Sequence, residues 1–255
     1  MTDEKLIRRR YYEIGLQIEK QLFSGFFKAG DRLPSERDLS QQYETSRATI
    51  REAIIMLELK DLVEVRKGAG IFFKENTDNE KRIKVEDTAN INDVGPFELL
   101  QSRFVLEVSI VEFAAKNIKL SELRQLRSII QRQENSFSDS KQFETLDREF
   151  HLCIAEATQN RMLIDTANRL WNVVRTENPL WQQLNKKYLH DTPLKENWLA
   201  EHRKIFAALQ KRDPVLAKQA MIEHIEHSKR ELTNLVDYGD IELLEHDDML
   251  FIEDK

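Results

Sequence analysis

A single cysteine, Cys153, among 255 residues excludes an internal disulfide. The chain also lacks a long apolar run and a charged-then-apolar leader, which argues against a membrane helix and against secretion. The cytoplasm is the expected location. No internal repeat and no low-complexity tract is present. A strong basic surplus is missing as well, since the net charge is −6. That balance is uneven along the chain: residues 1–74 hold 14 Lys+Arg against 12 Asp+Glu, a surplus of two, which leaves −8 for residues 75–255. Residues 237–255 alone carry eight acids and one lysine and read as an acidic, solvated tail. An acidic rear repels DNA and leaves any nucleic-acid contact to the locally basic front.

What the front contains is most informative in residues 33–73, LPSERDLSQQYETSRATIREAIIMLELKDLVEVRKGAGIFF. Ser35 follows Pro34 and has Asp38 three residues on, an approximate capping box for a short helix through about Tyr43. Ser46 can cap a second helix with Ile50, Ala53, Ile54, Met56 and Leu57 as its inward stripe. That register places Arg47, Ala48, Thr49 and Arg51 in exposed first turns. A helix-turn-helix offers these positions to the major groove, where arginine grips guanine and threonine meets a thymine methyl. The following LVEVRKGAGIFF alternates and breaks at Gly68, Ala69 and Gly70, which predicts a β-hairpin with Arg66 and Lys67 at its tip. Basic residues on an amphipathic helix pair are usually only a solvated face. The ordered set of cap, basic first turn, apolar stripe and wing favours DNA.

Residues 76–95 are polar and poor in large apolar groups, as in a linker. From Pro96 the pattern is helical, with candidates at 96–117, 120–136, 140–157, 160–177, 195–211 and 213–235. The expected architecture is mainly α: a winged helix-turn-helix over 1–75, a linker over 76–95, an all-α bundle over 96–236 and the tail over 237–255.

Inside that bundle, Asp147 and His151 stand at i and i+4 and share a helix face. His202 and His224 lie about ten residues before and after the Asp213–Pro214 turn. An antiparallel hairpin there would bring both imidazoles to one height. One carboxylate and three histidines suit Zn, Ni, Mn or Fe, although such a pair is often a surface hydrogen bond and scattered histidines are usually structural. Arg103 and Glu107 fall in the apolar stripe of the first bundle helix. They either neutralise each other, or Arg103 faces a polar cavity and grips a carboxylate.

The stretch with PSER, SRATIREAI and KGAG resembles the winged helix-turn-helix of GntR-superfamily bacterial regulators. That resemblance implies DNA contacts by Arg37, Arg47, Arg51 and Gly68, with Ser46, Thr49 and Lys67 as auxiliaries. The D-x-x-x-H pattern with two later histidines resembles the metal-binding effector domain of the FadR branch. It implies a divalent ion on Asp147, His151, His202 and His224, zinc first and nickel or manganese as alternatives, with Arg103 binding the effector's carboxylate. GPFELLQSRFVLEVSIVEFAA, ENPLWQQL and KENWLAEHRKIFAALQKRDP are similar to repressors of hexuronate utilisation, the ExuR/UxuR group. The partners so implied are double-stranded operator DNA, a sugar-acid effector and a second copy of the chain, with no membrane. Two alternatives stand beside this expectation: the same regulator fold responding to another small carboxylate, and a metal-dependent enzyme in which the ion activates water.

Overall fold

The computed structural model describes residues 10–66, 68–74, 94–177, 181–182 and 192–236. The chain divides into two units, with breaks between Phe97 and Glu98 and between Glu231 and Leu232. Most of the expected linker and the expected acidic tail lie outside the described residues, as does Lys67.

The front unit is built on α1 (Arg10–Phe23), α2 (Glu36–Gln42) and α3 (Arg47–Leu59), followed by strands β1 (Val63–Arg66) and β2 (Gly70–Phe73). Helix α1 was not anticipated, yet its cause is legible: Tyr11, Ile14, Ile18 and Leu22 recur every three or four residues and are buried. It packs on α3, whose Ile50, Ala53, Ile54, Met56 and Leu57 are buried as the periodicity required. Gly15 allows this approach, because a Cβ there would stand 2.1 Å from the Met56 methyl carbon.

Both helix starts carry the caps read from the sequence. Ser35 Oγ accepts from Asp38 N at 3.2 Å, while Asp38 Oδ2 accepts in return from Ser35 N at 3.2 Å. Ser46 Oγ accepts from Thr49 N at 3.1 Å. β1 and β2 pair antiparallel from Val63↔Phe73 to Arg66↔Gly70. Their turn uses positive φ at Gly68 (74°) and Gly70 (115°), a conformation that glycine adopts without steric cost.

The second unit is helical throughout its described residues. Its elements are α4 (Pro96–Asn117, of which Pro96 and Phe97 fall in the front unit), α5 (Leu120–Glu134), α6 (Ser140–Ala157) and α7 (Arg161–Asn172). A π-helical turn (Val173–Glu177) continues α7, and α8 (Thr192–Gln210) and α9 (Pro214–Val236, whose residues from Leu232 on fall in the front unit) follow. The expected single helix over 160–177 therefore changes pitch after Asn172. Asp213 makes the α8–α9 turn by accepting from Val215 N and Leu216 N, both at 3.0 Å. Val111, Leu126, Phe150, Ala167, Leu209 and Met221 are among the side chains that bring all six helices, α4 to α9, into one apolar core. No helix among the described residues is long and apolar enough to cross a membrane.

The capping box at α2 gives a direct test of the head's local stability. Ser35→Ala should destabilise α2 by about 1 kcal/mol, read as roughly fivefold faster amide exchange in that helix. Unchanged exchange would mean that tertiary packing alone holds α2.

Candidate metal centre and adjoining cavity

Three helices bring Asp147, His151, His202 and His224 together. The α6 turn fixes the first pair, and the α8–α9 hairpin sets the other two imidazole rings 4.9 Å apart. His151 stands 5.4 Å from His202 and 5.3 Å from His224, centroid to centroid. All four residues are buried, and one donor atom from each lies within 4.8 Å of the others. Stacking fixes the ring planes: His202 lies on Phe150 at 4.0 Å and His151 on Trp171 at 4.7 Å.

Each imidazole presents its other nitrogen to an acceptor from a different helix. His151 Nδ1 faces Glu107 Oε2 on α4. His202 Nδ1 donates to Gln133 Oε1 on α5 at 3.0 Å, and His224 Nδ1 donates to Glu201 Oε2 on α8 at 2.8 Å. At His202 and His224 the hydrogen-bonded Nδ1 leaves Nε2 as the free lone pair, and at His151 Nδ1 is turned to the Glu107 carboxylate. Asp147 Oδ1 lies 3.8 Å from His151 Nε2 and 3.4 Å from His202 Nε2. Those two buried Nε2 atoms have no hydrogen-bond partner among the described residues. Unpaired buried nitrogens around a carboxylate fit a divalent ion, which accepts N and O donors in this combination.

Protonation states favour the same chemistry. Burial, reinforced by nearby His151 and Arg103, pushes His224 down to about 3. Burial and neighbouring His224 hold His202 well below the usual histidine value. Burial would raise the Asp147 carboxyl, but Arg175, His151 and His202 overcome it and keep it below the usual carboxylate range. Neutral imidazoles and an ionised carboxylate are the ligating forms.

An open cavity adjoins this cluster. Arg103, Asp147, Arg175, Trp181, Lys195 and His224 are among its walls. Arg103 is paired within the fold and also stands at the cavity wall. Its Nε donates to Glu107 Oε1 at 2.7 Å, both side chains being buried, while the residue also lines the cavity. Burial would raise the Glu107 carboxyl, but Arg103 and His151 outweigh it and bring it to about 2. Glu107 thus divides its oxygens between a cavity arginine and a cluster histidine.

Sequence reasoning missed Gln133, Glu201 and Arg175, which have no spacing relation to the residues they serve. Arg175 contacts Asp147 Oδ2 from the π-helical turn. It also left His227 without a site, and His227 Nδ1 lies 2.6 Å from Glu201 Oε1. Cys153 is buried, and burial pushes its thiol up to about 12, so it is a packing residue.

In the front unit Arg37, Ser46 and Gly68 are exposed, and Arg47 and Thr49 are half-buried at the start of α3. The expected exposure of Arg51 needs correction: it is 4 % exposed, and its Nε donates to Glu36 Oε2 at 2.8 Å. The first residue of α2 supplies a carboxylate within reach of the inner face of α3, which the α3 pattern alone does not reveal.

A regulator with a winged helix-turn-helix and a helical ligand-binding unit is the class this architecture defines. Residues 10–73 match the family "Bacterial regulatory proteins, gntR family", and residues 98–227 match the FCD domain. The Uxu operon transcriptional regulator of Escherichia coli is 40% identical over 237 residues, covering 92% of this chain and 91% of that protein. The Uxu operon regulator of Haemophilus influenzae is 35% identical, covering 93% and 87% respectively. The Exu regulon transcriptional regulator of Escherichia coli is 36% identical, covering 89% and 86%. The chain belongs to the GntR family and carries an FCD domain; it is a DNA-binding transcriptional regulator rather than an enzyme.

The buried cluster makes acid stability a test. His202 and His224 have folded pKa values below the unfolded value of 6.5, so the unfolded chain takes up protons first as pH falls. The stability tied to keeping them neutral is full above 6.5 and declines below it. Depressed Asp147 and Glu107 extend the loss below the ordinary carboxylate range, while Glu201, raised by burial, opposes it near its own range. Chelator-treated protein should therefore unfold at lower urea concentration at about pH 5 than at about pH 7. Equal midpoints would contradict buried neutral imidazoles.

Proposed function

We propose that this chain is a homodimeric, cytoplasmic repressor of hexuronate catabolism genes, released from a two-fold operator by a sugar acid. The observation that carries the reading is the buried Asp147, His151, His202 and His224 group beside a cavity that Arg103 lines, within a GntR-family regulator. Similarity to Uxu and Exu regulators over most of the chain supports hexuronates or their ketose isomers as the effector class. The four residues hold one divalent ion, zinc before nickel or manganese. Such an ion supplies a Lewis-acidic centre for carboxylate and hydroxyl oxygens. Arg103 binds the effector carboxylate with donors beyond the Nε committed to Glu107.

Operator DNA is read by Arg37, Arg47, Arg51 and Gly68, with Ser46, Thr49 and Lys67 assisting. Arg47 takes the base-edge role most directly, standing in the first turn of α3. Arg51 reaches DNA only by exchanging its Glu36 partner. The domains are the head over 1–75, the linker over 76–95, the effector and dimerisation domain over 96–236, and the acidic tail. Effector binding shifts the relative placement of the two heads of a dimer, which requires different affinities for the two arrangements.

The test is binding of purified protein to its own upstream DNA, with release titrated by glucuronate, galacturonate, fructuronate and tagaturonate. Arg47→Ala should weaken operator binding by about 1–3 kcal/mol and leave sugar-acid binding intact. Arg103→Ala should retain the operator yet need about tenfold or more acid for release. Release by none of the acids would reject the effector class. Unchanged operator affinity in Arg47→Ala would reject the recognition helix.

A further inference from the structure

Arg103, Arg175 and Lys195 all line the cavity, and they differ in how far their donors are already used. Lys195 Nζ is committed twice, to Phe137 O at 3.0 Å and Ser140 Oγ at 2.7 Å. Arg103 spends Nε on buried Glu107. Arg175 bonds Asp147 Oδ2 through Nη2, and its Nη1 makes an ion pair with Glu144 Oε2 at 3.6 Å, a separation longer than a hydrogen bond. Its Nε is buried and has no hydrogen-bond partner among the described residues. A guanidinium carries five donors in one rigid plane, so most of Arg175's capacity is unspent at the cavity wall.

Its setting is ordered. Trp171 lies within cation–π range of both arginines, with the Arg103 guanidinium carbon 4.6 Å and that of Arg175 5.4 Å from the indole centroid. The same ring stacks on His151. Arg175 projects from the π-helical turn after α7, a pitch change that in helices is often found at functional sites. Asp147 meanwhile faces the imidazoles with Oδ1 and Arg175 with Oδ2. One side chain thus holds an acid of the cluster and retains donors for something else.

We infer that Arg175 is an effector-reading residue in its own right: Nη2 steadies Asp147, while the N–H donors it leaves without a hydrogen bond serve oxygen atoms of the bound acid that Arg103 does not take. The ligand class is an anion rich in acceptor oxygens close to its carboxylate, such as a polyhydroxy or keto acid. A monocarboxylate without further oxygens gains nothing from Arg175. This inference rests on the sugar-acid reading above and adds the residue that selects for oxygenation.

The variants R175K and R175A in the full-length protein separate the two roles. A lysine can still pair with Asp147 as a point charge but cannot present a planar fork. Metal content and the cobalt(II) absorption spectrum report the cluster, and calorimetric titration with glucuronate, galacturonate and acetate reports the cavity. R175K should keep metal and spectrum while binding the two sugar acids about tenfold or more weakly, with acetate affinity unchanged. R175A should in addition bind metal less tightly. Sugar-acid affinity equal to wild type in R175K overturns the inference and leaves Arg175 as a support for Asp147. So does full recovery of sugar-acid binding by either variant once excess metal is supplied. Failure of the wild-type protein to bind either sugar acid instead rejects the effector reading, and the inference with it.

Discussion

Everything in the second unit depends on three imidazoles being turned the same way. A buried histidine has two nitrogens to satisfy, and the fold provides an acceptor for one of them in each case: Glu107 for His151, Gln133 for His202 and Glu201 for His224. The Nε2 atoms of His151 and His202 are directed toward Asp147. Acceptors from α4, α5 and α8 thus orient the imidazoles on α6, α8 and α9. Leaving buried nitrogens unpaired costs about 1–3 kcal/mol per group. A divalent ion bound there would offset that cost, because its binding free energy adds to the folding free energy.

The same economy of partners links cluster and cavity. Glu107 gives one oxygen to His151 and the other to Arg103, and Asp147 divides its oxygens between imidazoles and Arg175. Trp171 lies against both arginines and one histidine. A ligand that pulls on either guanidinium therefore acts on a carboxylate shared with the cluster. Shared carboxylates in a low-dielectric interior make such groups behave as one network rather than as independent contacts. That is the physical basis for expecting an ion and an acid effector to depend on each other.

Much of this was legible from local sequence rules. The caps at Ser35 and Ser46, the inward stripe of α3 and the glycine turn of the wing follow from short-range spacing. So do the shared face of Asp147 and His151 and the hairpin that joins His202 to His224. What spacing cannot show is which residue from a distant helix arrives at a given atom. Gln133 lies 69 residues from His202, and Arg175 lies 28 from Asp147. Arg51 shows the same limit in the head: its first-turn position implied exposure, but Glu36, 15 residues earlier, reaches it and buries the pair. Helix α1 escaped notice because the winged motif begins after it, although its apolar stripe is as regular as that of α3.

In the proposed function, an ion held by Asp147 and the three histidines makes the cavity competent for a sugar acid, whose binding releases DNA. Its most direct test is hexuronate-driven release of operator DNA from one protein sample, measured as purified, after chelation, and after zinc is restored. Release should vanish on chelation, with operator binding and helical content retained, and return with zinc. Undiminished release from metal-stripped protein would contradict the account.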